Sequence, residues 1–174
     1  MKQRGLLLDR DGVINIDHGY VGACEQFEFL PGIFDFLRAA QDLGYRLAIL
    51  TNQSGVARGL YTVADYEKLT AWMLKEFAGQ GIVIDLVLAC FEHPDGKVKE
   101  FARESFWRKP SPGMVLEAVQ RLNLDPARSV FVGDNDRDSE AAMGGEIGMR
   151  IQFGGDVKAG DFSAALEKIR NGDA

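Results

Sequence analysis

The sequence predicts a doubly wound parallel α/β sheet, on three observations. Short, continuous apolar runs stop abruptly at polar residues, as strands buried on both faces do. Segments of helical periodicity separate those runs, which is the pattern of βαβ units. Three of the runs are followed at once by residues able to do chemistry: Asp9, Thr51 and Gly133-Asp134.

The elements follow in order. Gly5-Leu6-Leu7-Leu8 is the first strand, ending at Asp9. From Ile33 to Leu43 the residues Ile33, Phe34, Phe36, Leu37, Ala40 and Leu43 recur at helical spacing, and Gly44 is a stop signal. Leu47-Ala48-Ile49-Leu50 is the second strand, ending at Thr51-Asn52. Thr62 as N-cap with Asp65 at the capping-box position opens a longer helix, whose face is Tyr66, Leu69, Met73 and Phe77, before Gly79 and Gly81. Ile82 to Phe91 reads as the third strand. A helix opening at Ser111-Pro112 runs through Met114, Leu116, Val119 and Leu122 to the fourth strand, Val130-Phe131-Val132. Met149 to Phe153 makes a fifth strand, and Ser163 starts a closing helix. The span 92–109 is long, polar and without period, which marks a loop with a job or a local fold of its own.

Composition narrows the class. At 174 residues and 46% hydrophobic content, one domain over 1–174 can bury a sufficient core without disulfides or metal staples. The 26 acidic and 20 basic residues are interspersed, giving a net charge of −6 and no basic face for nucleic acid or anionic lipid. Two cysteines, Cys24 and Cys90, are too few for a disulfide framework and fit a reducing compartment, so a cytoplasmic location is expected; a monomer is expected besides. The first residues show no signal-peptide pattern, and no apolar run approaches the roughly 18 residues of a membrane span.

In open α/β sheets ligands bind beyond the carboxyl ends of the strands, so the polar residues there form one candidate site. Asp9-Arg10-Asp11-Gly12-Val13 sets two carboxylates two residues apart, and their repulsion calls for a cation. Aspartate before glycine is also ordinary turn chemistry. Thr51-Asn52 adds a hydroxyl, an amide and free N–H groups suited to phosphoryl oxygens, or simply caps the next segment. Arg108-Lys109-Pro110 brings a cation to a loop-to-helix junction, where a solvated lysine is the plainer reading. Gly133-Asp134-Asn135-Asp136-Arg137-Asp138 concentrates three more carboxylates, which Mg²⁺ would share; Asp138 equally suits a helix cap.

Taken together, in this order, these motifs resemble those of the haloacid dehalogenase superfamily over nearly the whole chain. More narrowly, Asp9 to Asn15, Asp17-His18-Gly19-Tyr20-Val21, Thr51 to Gly55 with Ala57-Arg58-Gly59, and Arg108-Lys109-Pro110 with Pro112-Gly113-Met114 resemble the D-glycero-D-manno-heptose 1,7-bisphosphate phosphatases and the related histidinol-phosphate phosphatases. The resemblance implies a Rossmann-like fold with minimal or no cap domain. It implies Mg²⁺-dependent removal of the 7-phosphate from the heptose bisphosphate in the supply of heptose for lipopolysaccharide or another surface glycan. It also implies roles: Asp9 as nucleophile, Asp11 as general acid and base, Thr51 and Lys109 at the phosphoryl group, and Asp9, Asp11 and Asp134 around the metal. Substrate contacts are implied for Asp17, His18, Gly19, Tyr20, Asn52, Gln53, Ser54 and Arg108.

The chain departs from that branch in two places. Where a structural zinc is common in the branch, Cys90 and a displaced His93 remain but Ser105 and Trp107 replace the later cysteines. Two ligands cannot close a tetrahedral site, so no zinc is expected and Phe101, Phe106 and Trp107 are expected to hold the loop by packing. Asn135 also replaces a lysine that binds substrate phosphate in the branch, a loss that Arg58 or Arg137 would have to offset; a monophosphate such as histidinol phosphate is the alternative substrate. A non-catalytic receiver domain would share the sheet, the aspartates, Thr and Lys, but its motifs come in a different order. A silent binding module would lack chemical residues that are present here.

Overall fold

The computed structural model describes residues 1–155 and 158–172. Along the chain run β1 (Arg4–Leu8), α1 (Ile33–Asp42), β2 (Tyr45–Asn52), α2 (Val63–Gly79), β3 (Leu86–Cys90), α3 (Gly113–Arg121), β4 (Val130–Gly133), α4 (Asp136–Gly144), β5 (Met149–Gln152) and α5 (Phe162–Gly172). The five strands form one parallel sheet in the order β3-β2-β1-β4-β5.

The central strands β1, β2 and β4 present alternate side chains to two apolar layers. Leu6, Leu8, Leu47, Ile49, Val130 and Val132 pack under α1, α2 and α5; Leu7, Ala48, Leu50 and Phe131 pack under α3 and α4. Burial on both faces is why these strands read as unbroken apolar runs. α2 has the expected capping box between Thr62 and Asp65 and buries Tyr66, Leu69, Met73 and Phe77.

Register decides where function sits. Leu8 pairs with Ile49 on one side and Val132 on the other, so β1, β2 and β4 end close together at one edge. The chain winds outward from β1 through β2 to β3 and then resumes at β4 on the other side of β1. That reversal opens a crevice at the strand ends, where ligands bind in such sheets, and Asp9 and Asp134 flank it. Among the described residues no separate domain interrupts the winding; the long connections are 9–32 and 91–112.

Three expectations need correction. The third strand is shorter than Ile82 to Phe91: it begins at Leu86, just after Asp85, which is tied to β2 twice, its N donating to Leu47 O at 2.8 Å and its Oδ2 accepting from Leu47 N at 2.9 Å. Leu116 is exposed; the buried face of α3 is Met114, Val115 and Ala118. Phe106 and Trp107 also lie exposed, so of the three aromatics only Phe101 packs inward, with its ring 6.1 Å from Phe91, which in turn meets Tyr66 at 5.1 Å.

Candidate active site

Asp9 lies one residue beyond β1 and is almost fully buried. Its Oδ1 accepts from Arg10 N at 2.7 Å and pairs with Lys109 Nζ at 2.9 Å. Lys109 comes from the loop before α3 and is itself buried; it also reaches Asp138 Oδ1 at 2.7 Å and donates to Leu50 O at 2.8 Å. An ammonium has three protons, so those three acceptors use them all. Burial opposes the charge on Lys109, but Asp9 and Asp138 outweigh it and hold its pKa above the ordinary lysine value. Burial pushes Asp9 up to about 7, against the pull of Lys109.

Asn52 fixes the lysine by a two-point clamp. Its Oδ1 accepts from Lys109 N at 3.1 Å and its Nδ2 donates to Lys109 O at 3.0 Å. The amide expected to contact substrate thus also ties down the main chain of Lys109.

β4 delivers the second acidic group. Gly133 permits α4 to approach closely, since a Cβ there would meet Asp138 Cβ at 2.4 Å. Asn135 caps α4, and Asp138, its N3 residue, accepts from Asp134 N at 3.3 Å and Asn135 N at 3.2 Å. Asp138 thus caps the helix and neutralises Lys109 at once, a double role that its sequence position alone, four residues after Asp134, does not reveal. Gly12 carries φ +85, and a Cβ on it would lie 2.1 Å from Asp134 Oδ2, so glycine is needed both for the turn and for the aspartate folded over it.

Carboxylate oxygens of Asp9, Asp134 and Asp138 come within 4.8 Å of one another. Asp138 is engaged on both oxygens, Oδ1 in the ion pair with Lys109 and Oδ2 with main-chain N–H groups, whereas Asp134 Oδ1 is buried with neither a hydrogen-bond donor nor an ion-pair partner among the described residues. Burial, then the charge of Asp138, raises the Asp134 pKa. An unpartnered buried carboxylate oxygen beside two further carboxylates fits a hard, oxygen-seeking cation such as Mg²⁺. The carboxylate of Asp11 stands apart from this cluster: Arg10 Nη2 and Asn15 Nδ2 donate to its Oδ1, each at 3.0 Å, and Gln53 Nε2 donates to its Oδ2 at 2.8 Å.

Above these groups opens a cleft of about 440 Å³ that includes Asp9, Asp11, Asp17, Gly19, Tyr20, Asn52, Gln53, Ser54 and Arg108, as the sequence suggests. Thr51 lies fully buried beneath it. His18 is the exception. Asp17 Oδ1 accepts from Gly19 N at 2.9 Å in a tight turn with positive φ at Gly19 and Tyr20, and His18 faces Glu28 at 3.4 Å beside a neighbouring hollow.

The cleft also gathers Arg58, Arg137, Tyr61 and His93. Burial, followed by the fields of Arg137 and Arg58, lowers the pKa of Arg108, which marks the three guanidiniums as neighbours. Among the described residues none of the three is ion-paired to a carboxylate, and Arg58 Nε is buried without a partner. In the loop, Cys90 Sγ lies 3.4 Å from Glu92 Oε2, Glu92 Oε1 pairs with Arg103 at 2.9 Å, and His93 Nε2 lies 3.2 Å from Arg58 Nη2.

The sequence matches the haloacid dehalogenase-like hydrolase family over residues 3–144. It is 43% identical over 146 residues to a D-glycero-beta-D-manno-heptose-1,7-bisphosphate 7-phosphatase of Yersinia pestis, covering 84% of this chain and 78% of that one. It is 45% identical over 171 residues to the D-glycero-alpha-D-manno-heptose-1,7-bisphosphate 7-phosphatase of Burkholderia mallei, covering 98% and 90%. Among solved structures, the D,D-heptose 1,7-bisphosphate phosphatase of B. bronchiseptica, complexed with magnesium and phosphate, superposes with a TM-score of 0.83 at 28% identity, covering 98% of this chain and 99% of that one.

Proposed function

Because this chain belongs to the haloacid dehalogenase-like hydrolases and is a phosphatase by its kinship with the heptose bisphosphate phosphatases, we propose that it removes the 7-phosphate of D-glycero-D-manno-heptose 1,7-bisphosphate through an aspartyl phosphate on Asp9. The observation that carries the bisphosphate is the set of three unpaired arginines, Arg58, Arg108 and Arg137, which share one cleft with Asp9. Concentrating like charge in a partly buried place is costly without an anion to share it. A substrate with two phosphates places one at Asp9 and offers the other to these guanidiniums. The imidazolium of histidinol phosphate would meet repulsion there.

In this reading Asp9 attacks phosphorus with the oxygen that Arg10 and Lys109 leave free, and the bond from phosphorus to the ester oxygen breaks. Asp11 protonates the departing alkoxide, then takes a proton from the water that attacks the aspartyl phosphate, releasing phosphate and restoring Asp9. Thr51 donates to an equatorial oxygen, and Lys109, with its protons spent, acts as a fixed positive charge. Asp9 and Asp134, with the main chain of Asp11 rather than its tied carboxylate contributing, would hold Mg²⁺, which supplies further positive charge against the phosphoryl oxygens. Asp17, Gly19, Tyr20, Gln53 and Ser54 border the sugar.

We read residues 1–174 as one phosphatase domain acting as a monomer in the cytoplasm; no helix among the described residues is long and apolar enough to cross a membrane. The test is phosphate release with Mg²⁺ from both anomers of the bisphosphate, from histidinol phosphate and from sugar monophosphates, compared as kcat/KM. The bisphosphate is expected to be preferred at least tenfold (~1.4 kcal/mol); equal or better turnover of a monophosphate would remove the assignment.

A further inference from the structure

We propose that Tyr61 is a positioning residue for this reaction: its hydroxyl locks the side-chain amide of Gln53 in the one orientation that donates to Asp11 and Thr51 together. The inference rests on the roles given above to Asp11 and Thr51.

Gln53 is buried, and its main-chain N–H donates to Cys90 O at 2.7 Å, which pins it to the end of β3. Its Nε2 lies 2.8 Å from Asp11 Oδ2 and 2.8 Å from Thr51 Oγ1. In the step where Asp11 takes the proton of the attacking water its carboxylate is ionised and only accepts, so the amide edge facing it is the NH₂, and its two protons go one to each neighbour. Thr51 Oγ1, used there as an acceptor, keeps its own proton for a phosphoryl oxygen. With Arg10 and Asn15 on its other oxygen, Asp11 is held from both ends.

The opposite edge of the amide completes the lock. Tyr61 Oη donates to Gln53 Oε1 at 2.5 Å. A flipped amide would set Oε1 against the Asp11 carboxylate and take the Thr51 proton for itself. Burial pushes the Tyr61 phenol up to about 12, so it stays a donor throughout the working pH range. Packing fixes the hydroxyl in place: a Cβ on Gly22 would come 2.4 Å from the Tyr61 ring, and one on Gly55 2.2 Å. The two glycines form a slot for the ring, and the ring aims the hydroxyl. α2 begins two residues later, so the lock ties the substrate loop to a rigid helix.

Tyr61→Phe tests this, because the ring remains in its slot and only the hydroxyl is lost. One net hydrogen bond translates to a fall in kcat of about five- to tenfold, with KM within about twofold. In a Gln53→Leu background the same change is expected to add nothing. A raised KM at unchanged kcat would make Tyr61 a substrate contact and overturn the proposal, as would a loss that simply multiplies with that of Gln53→Leu. Asp11→Asn, measured alongside, separates the two layers: full activity in that variant removes the assigned role of Asp11 itself, whatever Tyr61→Phe does.

Discussion

Replacing Lys109 with methionine keeps most of the side-chain volume and deletes a buried cation. Its Nζ lies 2.9 Å from Asp9, 2.7 Å from Asp138 and 2.8 Å from Leu50 O, so the variant leaves two carboxylates and a carbonyl buried without their shared partner. Breaking a buried ion pair from one side costs about 3–5 kcal/mol, against a total stability of roughly 5–15 kcal/mol, so Lys109→Met is expected to fold with reduced stability. Activity should suffer separately, since a preorganised charge at a reacting group is worth about 100- to 1000-fold in kcat. Urea unfolding followed by tryptophan fluorescence reports the first quantity; Trp72 sits in the cluster of Phe27 and Phe29 and senses the core. Phosphate release at saturating substrate reports the second. Lys109→Met with Asp138→Asn removes one stranded carboxylate and should recover part of the stability while kcat stays low. A single variant within about 1 kcal/mol of the parent, or a double variant with restored kcat, would refute the reasoning.

Gly12→Ala drives a Cβ into Asp134 Oδ2 at a residue with φ +85, so the Mg²⁺ concentration for half-maximal activity should rise about tenfold or more, as loss of a well-placed ligand requires; an unchanged Mg²⁺ titration would contradict the role of Asp134. Arg137→Ala should raise KM for the bisphosphate about tenfold, the worth of one charge-assisted contact, and leave monophosphate kinetics unchanged. Burial pushes the Cys90 thiol up to about 11, so at pH 8 its thiolate fraction is about a thousandth and iodoacetamide labelling of a Cys24→Ser variant should run at least about 100-fold slower than in denaturant. Rapid labelling of the folded protein would show that Cys90 is not enclosed.

The sheet and the two ends of the site were legible because local signals and the fold agree. Leu6 to Leu8 and Val130 to Val132 are apolar without interruption because both faces are covered, and the aspartates just beyond them, Asp9 and Asp134, fall on the ligand edge of the sheet. Thr62 and Asp65 announce α2 through a capping box that depends on four consecutive residues only. Where the structure departs, tertiary contacts decide. Leu116 sits at a helical spacing that turns it away from the sheet, and at the start of β3 the Asp85 side chain takes the Leu47 N–H of β2. Asn52, besides lining the cleft, clamps the backbone of Lys109, 57 residues away. Arg58, Arg108 and Arg137 come from three separate segments; the resemblance points to Arg108 as a substrate contact and the missing lysine at Asn135 to Arg58 or Arg137, but no period or spacing in the chain shows that all three share one cleft. Tyr61 is equally silent, since its partner Gln53 is eight residues back across an irregular loop.

The central claim is the covalent one, that phosphate passes through Asp9. Rapid mixing with the bisphosphate and Mg²⁺, quenching into borohydride, and peptide mass spectrometry test it directly, because reduction of an acyl phosphate leaves homoserine. Homoserine at position 9, dependent on substrate and absent from Asp9→Asn, is the expected result. Turnover with Asp9 unmodified, or reduction at Asp11 or Asp134 instead, would contradict the account.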